Sequence, residues 1–266
     1  MDRRPIGVFD SGVGGLTVMR ELLHELPNEK IIYFGDTARV PYGTKSKRTI
    51  VRFSLENILF LLEKKVKLVV VACNTSSSLA LPVIKRNFNI PIVGVIEPAV
   101  KSALRVSRSG RIGVIGTRAT VESKVYERSI KRYNKALRVF SKACALFVPF
   151  VEEGWLDNKA IRDVAKIYLE DFKHKGIDTL ILGCTHYPLL KKVIREILGK
   201  DVALVDSGSE VALAVKRILN QQKLSAPESK KSLRPKFFVS DEPAHFQKLG
   251  GRFLKNRIRQ VMRVHS

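Results

Sequence analysis

The sequence has few cysteines and no long apolar run. Its three cysteines, Cys73, Cys144 and Cys184, include no Cys-x-x-Cys pair, which argues against a disulfide framework and against a zinc module. No apolar stretch approaches the roughly 20 residues that a membrane-spanning helix needs. No cleavable apolar segment precedes the first predicted strand, at residue 6. We therefore expect a cytoplasmic protein with free thiols and no membrane contact.

Acidic residues are scarce relative to basic ones. The chain has 25 Asp and Glu against 48 Lys and Arg, a formal net charge of +23. Such an excess favours nucleic acid or another anionic partner, but the basic residues are scattered and no folded nucleic-acid-binding motif is recognisable. A solvated basic surface is the simpler interpretation. If nucleic acid binds, we expect it at the basic C-terminal segment, residues 248–263, which contains no acidic residue.

Two apolar runs that each end in a cysteine stand out among the features the sequence does have. Residues 68–72 lead to Cys73-Asn74-Thr75, and residues 179–183 lead to Cys184-Thr185-His186. A short apolar run that stops at polar residues is typical of a buried parallel strand. Open α/β sheets bind ligands at the carboxyl ends of such strands. Both cysteines are therefore expected at ligand-binding strand ends.

The order of strands and helices repeats along the chain. Cys184 follows Cys73 by 111 residues, and Val193 follows Val83 by 110 within similar Val-Ile segments. This self-similarity predicts two similar Rossmann/flavodoxin-like, three-layer α/β domains related by a pseudo-twofold axis. We expect residues 1–97 with 208–266 to form the first domain and residues 98–207 the second. Cys73 and Cys184 would then face each other across one cleft.

Individual elements follow from periodicity and from breaking residues. Long amphipathic helices are predicted at 49–65 and 159–174, each ahead of a cysteine strand. Residues 90–98 are predicted as a strand, and residues 147–154 as a repeat of the strand and loop around Asp36. The polar stretch 222–235 is predicted as a loop, before a short strand and a final helix from about residue 243.

Paired thiols on opposite sides of a cleft suit acid–base chemistry. Free backbone N–H groups and the helix dipole at a strand–helix junction favour a thiolate, which lowers the pKa of a cysteine from about 8.5. One thiol could remove a proton from a stereocentre while the other delivers a proton to the opposite face. That reaction inverts configuration without an organic cofactor. Cys144 lacks polar neighbours and is predicted to lie in the core.

Alternative interpretations of these motifs are weaker. One cysteine at a strand end is usually a small core residue, but two at matching repeat positions favour catalysis. Cys184 and His186 could begin a zinc site, yet no further ligands follow at useful spacing, so we expect no metal. The glycine-rich turn after Asp10 has Thr17 where a dinucleotide fingerprint needs its third glycine. Nothing marks a pyridoxal lysine, and we expect no cofactor.

Polar residues near the predicted strand ends could assist the thiols. Asp10, Asp36 and Glu152 are expected at strand ends or loop starts on one rim of the cleft, and His186 lies two residues after Cys184. Backbone N–H groups of Tyr42 and Gly43 could bind a carboxylate. Short side chains suited to the same task are Ser11, Asn74, Thr75, Thr117, Thr120 and Thr185.

Five motifs, in order along residues 6–210, resemble those of the glutamate racemases, within the cofactor-independent aspartate/glutamate racemase superfamily. They are Asp10-Ser-Gly-Val-Gly-Gly-Leu-Thr-Val18, Gly35-Asp36 with Pro41-Tyr42-Gly43, Ala72-Cys73-Asn74-Thr75, Gly183-Cys184-Thr185-His186-Tyr187-Pro188-Leu189-Leu190, and Val205-Asp206-Ser207. The set is highly specific. One departure is Ser76, where alanine usually follows Cys-Asn-Thr.

The resemblance implies interconversion of L- and D-glutamate, which would supply D-glutamate for peptidoglycan. It assigns Cys73 to the α-proton of the D-isomer and Cys184 to that of the L-isomer, with Asp10 and His186 assisting and Asp36 and Glu152 in lesser roles. It also implies a homodimer. The positions that match substrate-binding residues are Asp10, Ser11, Tyr42, Gly43, Asn74, Thr75, Thr117, Thr120, Thr185 and His186.

Three other functions remain open at this point. A racemase of aspartate or another small acid would use the same cysteines with a different carboxylate pocket. A nucleic-acid-binding protein would explain the net charge of +23 but not the paired cysteines, and its binding would depend steeply on salt. A dithiol redox protein would need the two thiols close enough to form a disulfide.

Overall fold

The computed structural model describes residues 1–228 and 233–264 and contains two parallel β-sheets. The strands described are β1 (Ile6–Asp10), β2 (Ile31–Gly35), β3 (Leu68–Val71), β4 (Ile92–Gly94), β5 (Arg111–Gly116), β6 (Arg138–Ala143), β7 (Thr179–Gly183), β8 (Ala203–Val205), β9 (Lys236–Val239) and β10 (Met262–Arg263). The larger sheet has the order β10–β9–β2–β1–β3–β4, and the smaller has the order β6–β5–β7–β8.

Helices follow most of these strands. They are α1 (Leu16–Glu25), α2 (Lys47–Glu63), α3 (Asn74–Leu79), α4 (Leu81–Asn87), α5 (Ile96–Val106), α6 (Arg118–Glu122), α7 (Val125–Tyr133), α8 (Phe147–Glu152), α9 (Lys159–His174), α10 (Lys191–Leu198), α11 (Gly208–Gln221) and α12 (Pro243–Leu254). Single 3₁₀ turns cover Thr37–Arg39, Tyr42–Thr44 and Tyr187–Leu190. Across the described residues, no helix is long and apolar enough to span a bilayer.

The two sheets confirm the predicted α/β fold with two similar units. The order β2–β1–β3–β4 in the larger sheet matches β6–β5–β7–β8 in the smaller one, and every strand pair is parallel. The C-terminal strands β9 and β10 extend the larger sheet beyond β2. We call the part built on the larger sheet the first half and the part built on the smaller sheet the second half. The residue boundaries predicted for the two domains remain a prediction.

The cysteine strands are buried because helices cover both faces of each sheet. β3 and β7 are buried along their full length, which is why their sequences read as continuous apolar runs rather than as alternating patterns. Each fully buried Val, Leu or Ile side chain contributes roughly 1.5–3 kcal/mol to the free energy of unfolding. A central buried strand therefore gives its terminal residue a rigid support.

One predicted strand is a helix in the structure, and another is shorter than predicted. Residues 147–152 form helix α8, in which Pro149 lies in the first turn, where its missing N–H has no helical partner to lose. The strand required by the repeat is β6, a half-exposed edge strand that contains Arg138 and Lys142 and has no continuous apolar run. The predicted strand 90–98 shortens to β4, because α5 begins at Ile96 and accommodates Pro98 in its first turn.

The other element predictions agree closely with the structure. Helix α9 has the predicted bounds, and α2 is displaced by two residues at each end. Within the predicted loop 222–235, the described residues 222–228 and 233–235 contain neither helix nor strand, and residues 229–232 lie outside the described residues. The final helix begins at Pro243 as predicted.

Candidate active site

Cys73 lies at the end of β3 and at the N-cap of the short helix α3. Only 5% of the residue is exposed, and its Sγ is 3.8 Å from the Ser11 Oγ. Burial and, secondly, the negative charge of Asp10 raise the pKa of Cys73 to about 12, against the weaker opposing effect of hydrogen bonds from Ser76 and Ser11. The prediction that the strand–helix junction lowers this pKa is therefore wrong for Cys73. Cys73 therefore carries its proton at neutral pH.

Asp10 is the last residue of β1 and is buried beside the same thiol. Its Oδ2 accepts a hydrogen bond of 3.0 Å from the Gly12 N–H. Burial raises the pKa of Asp10, and the charge of His186 opposes that rise. Its Oδ1 has no hydrogen-bond partner within residues 1–228 and 233–264. Asp10 thus interacts electrostatically with both Cys73 and His186, which lie in different halves.

Cys184 follows β7 directly and has a different partner. Its Sγ lies 3.8 Å from the Nδ1 of His186, and the residue is 7% exposed. The other ring nitrogen of His186, Nε2, lies 2.9 Å from the Glu152 Oε1. Burial opposes protonation of His186, but hydrogen bonds to Cys184 and Glu152 outweigh it and raise the pKa of His186 to about 10. His186 is therefore a cation at neutral pH, next to the Cys184 sulfur.

Glu152 is on the predicted rim, but a helix brings it there. It is the last residue of α8 rather than the end of a strand. The far side of the His186 ring contacts Phe253 of α12, with ring centroids 5.2 Å apart in an edge-to-face arrangement. Helix α12 thus packs against the histidine that contacts Cys184.

Three threonine hydroxyls meet between the halves. The Thr75 Oγ1 lies 3.0 Å from the Thr117 Oγ1 and 3.4 Å from the Thr120 Oγ1, and the Thr117 hydroxyl donates to Thr120 over 3.0 Å. Thr117 also caps α6 by accepting from the Thr120 N–H. A Cβ placed on Gly43 would lie 2.7 Å from the Thr117 Cβ, so only glycine fits there. The structure therefore brings the Tyr42–Gly43 turn to this threonine cluster.

The loop after β1 and the first turn of α1 also contact the loop after β7. The Thr17 hydroxyl donates to the Thr185 carbonyl over 3.1 Å. A Cβ on Gly14 would overlap the Thr185 Oγ1, which itself lies 3.5 Å from the His186 Nδ1. Glycine at position 14 thus allows the loop that follows Asp10 to approach the loop that carries His186.

Asp36 does not join the thiols. Its two carboxylate oxygens accept the Arg39 Nε–H at 2.9 and 2.7 Å, the Ser240 hydroxyl at 3.0 Å, and a short hydrogen bond from the Tyr42 hydroxyl. The Tyr42 hydroxyl in turn accepts from the Asn57 Nδ2 over 3.1 Å. Asp36 is fully buried among these first-half residues. Its position fits support of the Tyr42–Gly43 turn rather than proton transfer.

Sequence reasoning missed Tyr126. Its hydroxyl donates to the Asn74 Oδ1 over 2.7 Å, and Asn74 directly follows Cys73. The sequence signal was weak, since Tyr126 is one of two tyrosines in a strongly polar helix.

All three cysteines are free thiols. Within residues 1–228 and 233–264, no group of three or more His, Cys, Asp or Glu residues could hold a metal ion. Cys144 is fully buried, as predicted for a core residue, and burial raises its pKa.

The fold and site place the chain among the racemases, enzymes of the isomerase class. The sequence model of the Asp/Glu/Hydantoin racemase family matches residues 6–215. The chain is 52% identical to the glutamate racemase of Geobacter metallireducens over 264 residues, which covers 99% of this chain and 97% of that protein. The chain belongs to the Asp/Glu/Hydantoin racemase family.

Solved structures agree with this assignment. Glutamate racemase from Francisella tularensis in complex with D-glutamate superposes with a TM-score of 0.93 at 41% identity, covering 99% of this chain and 98% of that one. Glutamate racemase from Thermus thermophilus in complex with beta-chloro-D-alanine gives a TM-score of 0.89 at 47% identity, covering 100% and 98%.

Proposed function

We propose that this enzyme interconverts L- and D-glutamate with Cys73 and Cys184 as its two bases. The observation that carries the proposal is the pairing of one buried thiol from each half, with Asp10 in electrostatic contact with both Cys73 and the His186 that serves Cys184. The names of the relatives support glutamate as the substrate, as does the D-glutamate complex of the Francisella protein.

The proton transfers balance without an added cofactor. From L-glutamate, the Cys184 thiolate takes the α-proton and becomes a thiol, while the C–H electron pair passes to Cα and its carboxylate. Cys73 then gives its S–H proton to the opposite face of Cα and becomes a thiolate, which yields D-glutamate. The reverse reaction starts from the Cys73 thiolate. The His186 cation stabilises negative charge on Cys184.

Two buried atoms support an amino acid as the ligand. Asp10 Oδ1 is an acceptor and Asn74 Nδ2 is a donor, and neither has a hydrogen-bond partner in the described part of the chain. An unpaired buried polar group costs roughly 1–3 kcal/mol, which a suitable ligand would recover. The ammonium group of an amino acid fits the acceptor, and its carboxylate fits the donor. The threonine cluster and the Tyr42–Gly43 turn offer further neutral donors for a second carboxylate.

We further infer that the product D-glutamate supplies peptidoglycan synthesis, on the resemblance of the five motifs. A cytoplasmic homodimer with the domain boundaries given above completes the proposal. The net charge of +23 on each chain is then that of a solvated basic surface.

Cofactor-free racemisation tests the proposed function. The purified protein is incubated separately with L-glutamate, D-glutamate and L-aspartate, and chiral chromatography follows each enantiomer. We expect glutamate to racemise from either side with nothing added. Racemisation of aspartate but not glutamate would support the two-base mechanism but show that aspartate is the substrate. No turnover of either acid would contradict the proposal and direct attention to the basic C-terminal segment.

A further inference from the structure

Tyr126 touches residues next to both proposed bases. It is the second residue of α7 in the second half and is 3% exposed. Its hydroxyl crosses to the first half and donates to the Asn74 Oδ1 over 2.7 Å. Its ring covers Gly183, because a Cβ placed there would lie 3.1 Å from the Tyr126 Cε2. Gly183 precedes Cys184 and Asn74 follows Cys73, so one side chain spans the two cysteine strand ends.

The hydrogen bond selects one orientation of the Asn74 amide. A side-chain amide has an acceptor oxygen and a donor NH₂ of almost the same shape, so its neighbours determine which way it faces. Burial, together with the nearby charge of Cys184, raises the pKa of Tyr126, which keeps the phenol protonated and able to donate. In the structure the amide oxygen of Asn74 faces Tyr126 and accepts this hydrogen bond.

The NH₂ group of the same Asn74 amide is the unpaired donor. Asn74 Nδ2 is buried, and the described residues provide it with no hydrogen-bond partner. Leaving such a donor unpaired is costly unless a ligand oxygen accepts from it. Asn74 lies between Cys73 and Thr75, whose hydroxyl belongs to the threonine cluster. The free donor thus lies among the groups proposed to bind a carboxylate.

We propose that Tyr126 is a positioning residue that directs the Asn74 NH₂ group toward a substrate carboxylate. This inference rests on the proposed function, because it concerns the substrate of the same site. Tyr126 exchanges no proton with the substrate. It acts through Asn74, by a hydrogen bond that joins the two halves.

The test is a double-mutant cycle on substrate affinity. Tyr126→Phe keeps the ring against Gly183 and removes only the hydroxyl. We expect this variant to raise KM for both glutamate enantiomers about tenfold and to change kcat less than about threefold. In an Asn74→Ala background, Tyr126→Phe should alter KM less than about twofold, because the amide that Tyr126 orients is absent. A tenfold effect of Tyr126→Phe in both backgrounds would overturn the proposal, as would an unchanged KM in the single variant.

Tyr187→Phe is the matched control for loss of a buried hydroxyl. Tyr187 is fully buried in the second half, and its hydroxyl donates to the Cys144 carbonyl over 2.8 Å. We expect Tyr187→Phe to lower Tm by a similar amount as Tyr126→Phe while KM stays within about twofold. An equal rise of KM in both variants would mean a general loss of packing and would overturn the proposal.

A binding measurement separates this inference from the proposed function. Calorimetric titration of D-glutamate into the Cys73→Ser/Cys184→Ser protein measures affinity without turnover. Adding Tyr126→Phe should weaken the Kd about tenfold, and an unchanged Kd would overturn the positioning role. If the unmodified enzyme fails to racemise glutamate, the proposed function fails instead.

Discussion

Cys73 and Cys184 occupy equivalent strand ends, yet their immediate neighbours carry opposite charge. Cys73 lies beside the Asp10 carboxyl and the Ser11 hydroxyl, and its pKa is raised to about 12. Cys184 lies 3.8 Å from His186, whose pKa of about 10 makes it a cation at neutral pH. The repeated fold supplies the two positions, whereas single side chains set the proton distribution. In the proposed mechanism, this difference favours a proton on Cys73 and negative charge on Cys184 before L-glutamate binds.

Removing either thiol should have the largest effect on this pair. We expect Cys73→Ser and Cys184→Ser each to lower kcat/KM at least about a thousandfold, because a hydroxyl is a far weaker acid and its alkoxide is scarcely present at neutral pH. Steady-state racemisation followed by circular dichroism measures the loss. Cys144→Ser is the control and should stay within about twofold of the unmodified enzyme, since Cys144 lies in the core. Comparable loss in the control would contradict the assignment.

Removing the His186 cation should reveal the difference between the Cys73 and Cys184 sides of the site. His186→Gln should lower kcat/KM about 100-fold, and equally in both directions, because the two enantiomers have the same free energy in water. The asymmetry should show in the primary deuterium isotope effect. This should rise with α-deuterated L-glutamate, whose proton goes to Cys184, and change less with the D-isomer. An equal change of the isotope effect in the two directions, relative to the unmodified enzyme, would contradict the assignment of His186 to Cys184.

Alkylation rates measure the difference in thiolate content between Cys73 and Cys184 in the absence of substrate. We expect iodoacetamide at pH 7.5 to label Cys184 about tenfold faster than Cys73, because the thiolate is the nucleophile and only Cys184 has a cation beside it. Labelling of Cys73 should increase as the pH rises toward its pKa of about 12. Peptide mass spectrometry with time gives both rates. Faster labelling of Cys73 than of Cys184 at pH 7.5 would contradict the charge difference inferred for the two cysteines.

Asp36→Asn should have the smallest effect on turnover. The substitution weakens the hydrogen bonds that Arg39 and Tyr42 make with a buried carboxylate. We expect kcat within about twofold, KM raised about threefold through the Tyr42–Gly43 turn, and Tm lowered by about 5 °C. Racemisation kinetics and thermal unfolding measure these changes. A drop in kcat comparable to that of His186→Gln would restore Asp36 as a proton-transfer group.

Much of this site could be predicted from the sequence because its residues lie at the ends of buried strands. The apolar runs before Cys73 and Cys184 and the 111-residue offset between them carry that information. The edge strand β6 could not be recognised, because an edge strand keeps charged side chains in solvent and lacks an apolar run.

Local sequence patterns could not predict contacts between residues that are far apart in the sequence. Glu152 reaches His186 across 34 positions, and Tyr126 reaches Asn74 across 52. The raised pKa of Cys73 has a similar origin, since it comes from burial in the folded protein and from the charge of Asp10. Asp36 lies after a strand as predicted, but its orientation depends on Arg39 and Ser240.

Deuterium incorporation during the first turnovers in D₂O tests the two-base account most directly. Protiated L-glutamate is converted to a few per cent product, and NMR with chiral analysis follows the α-position of both enantiomers. The account predicts deuterium in the new D-glutamate and protium in the remaining L-glutamate, because one thiol removes the proton and the other supplies a solvent-derived deuteron. Protium carried into the product, or deuterium in the recovered L-glutamate at the same rate as racemisation, would contradict it.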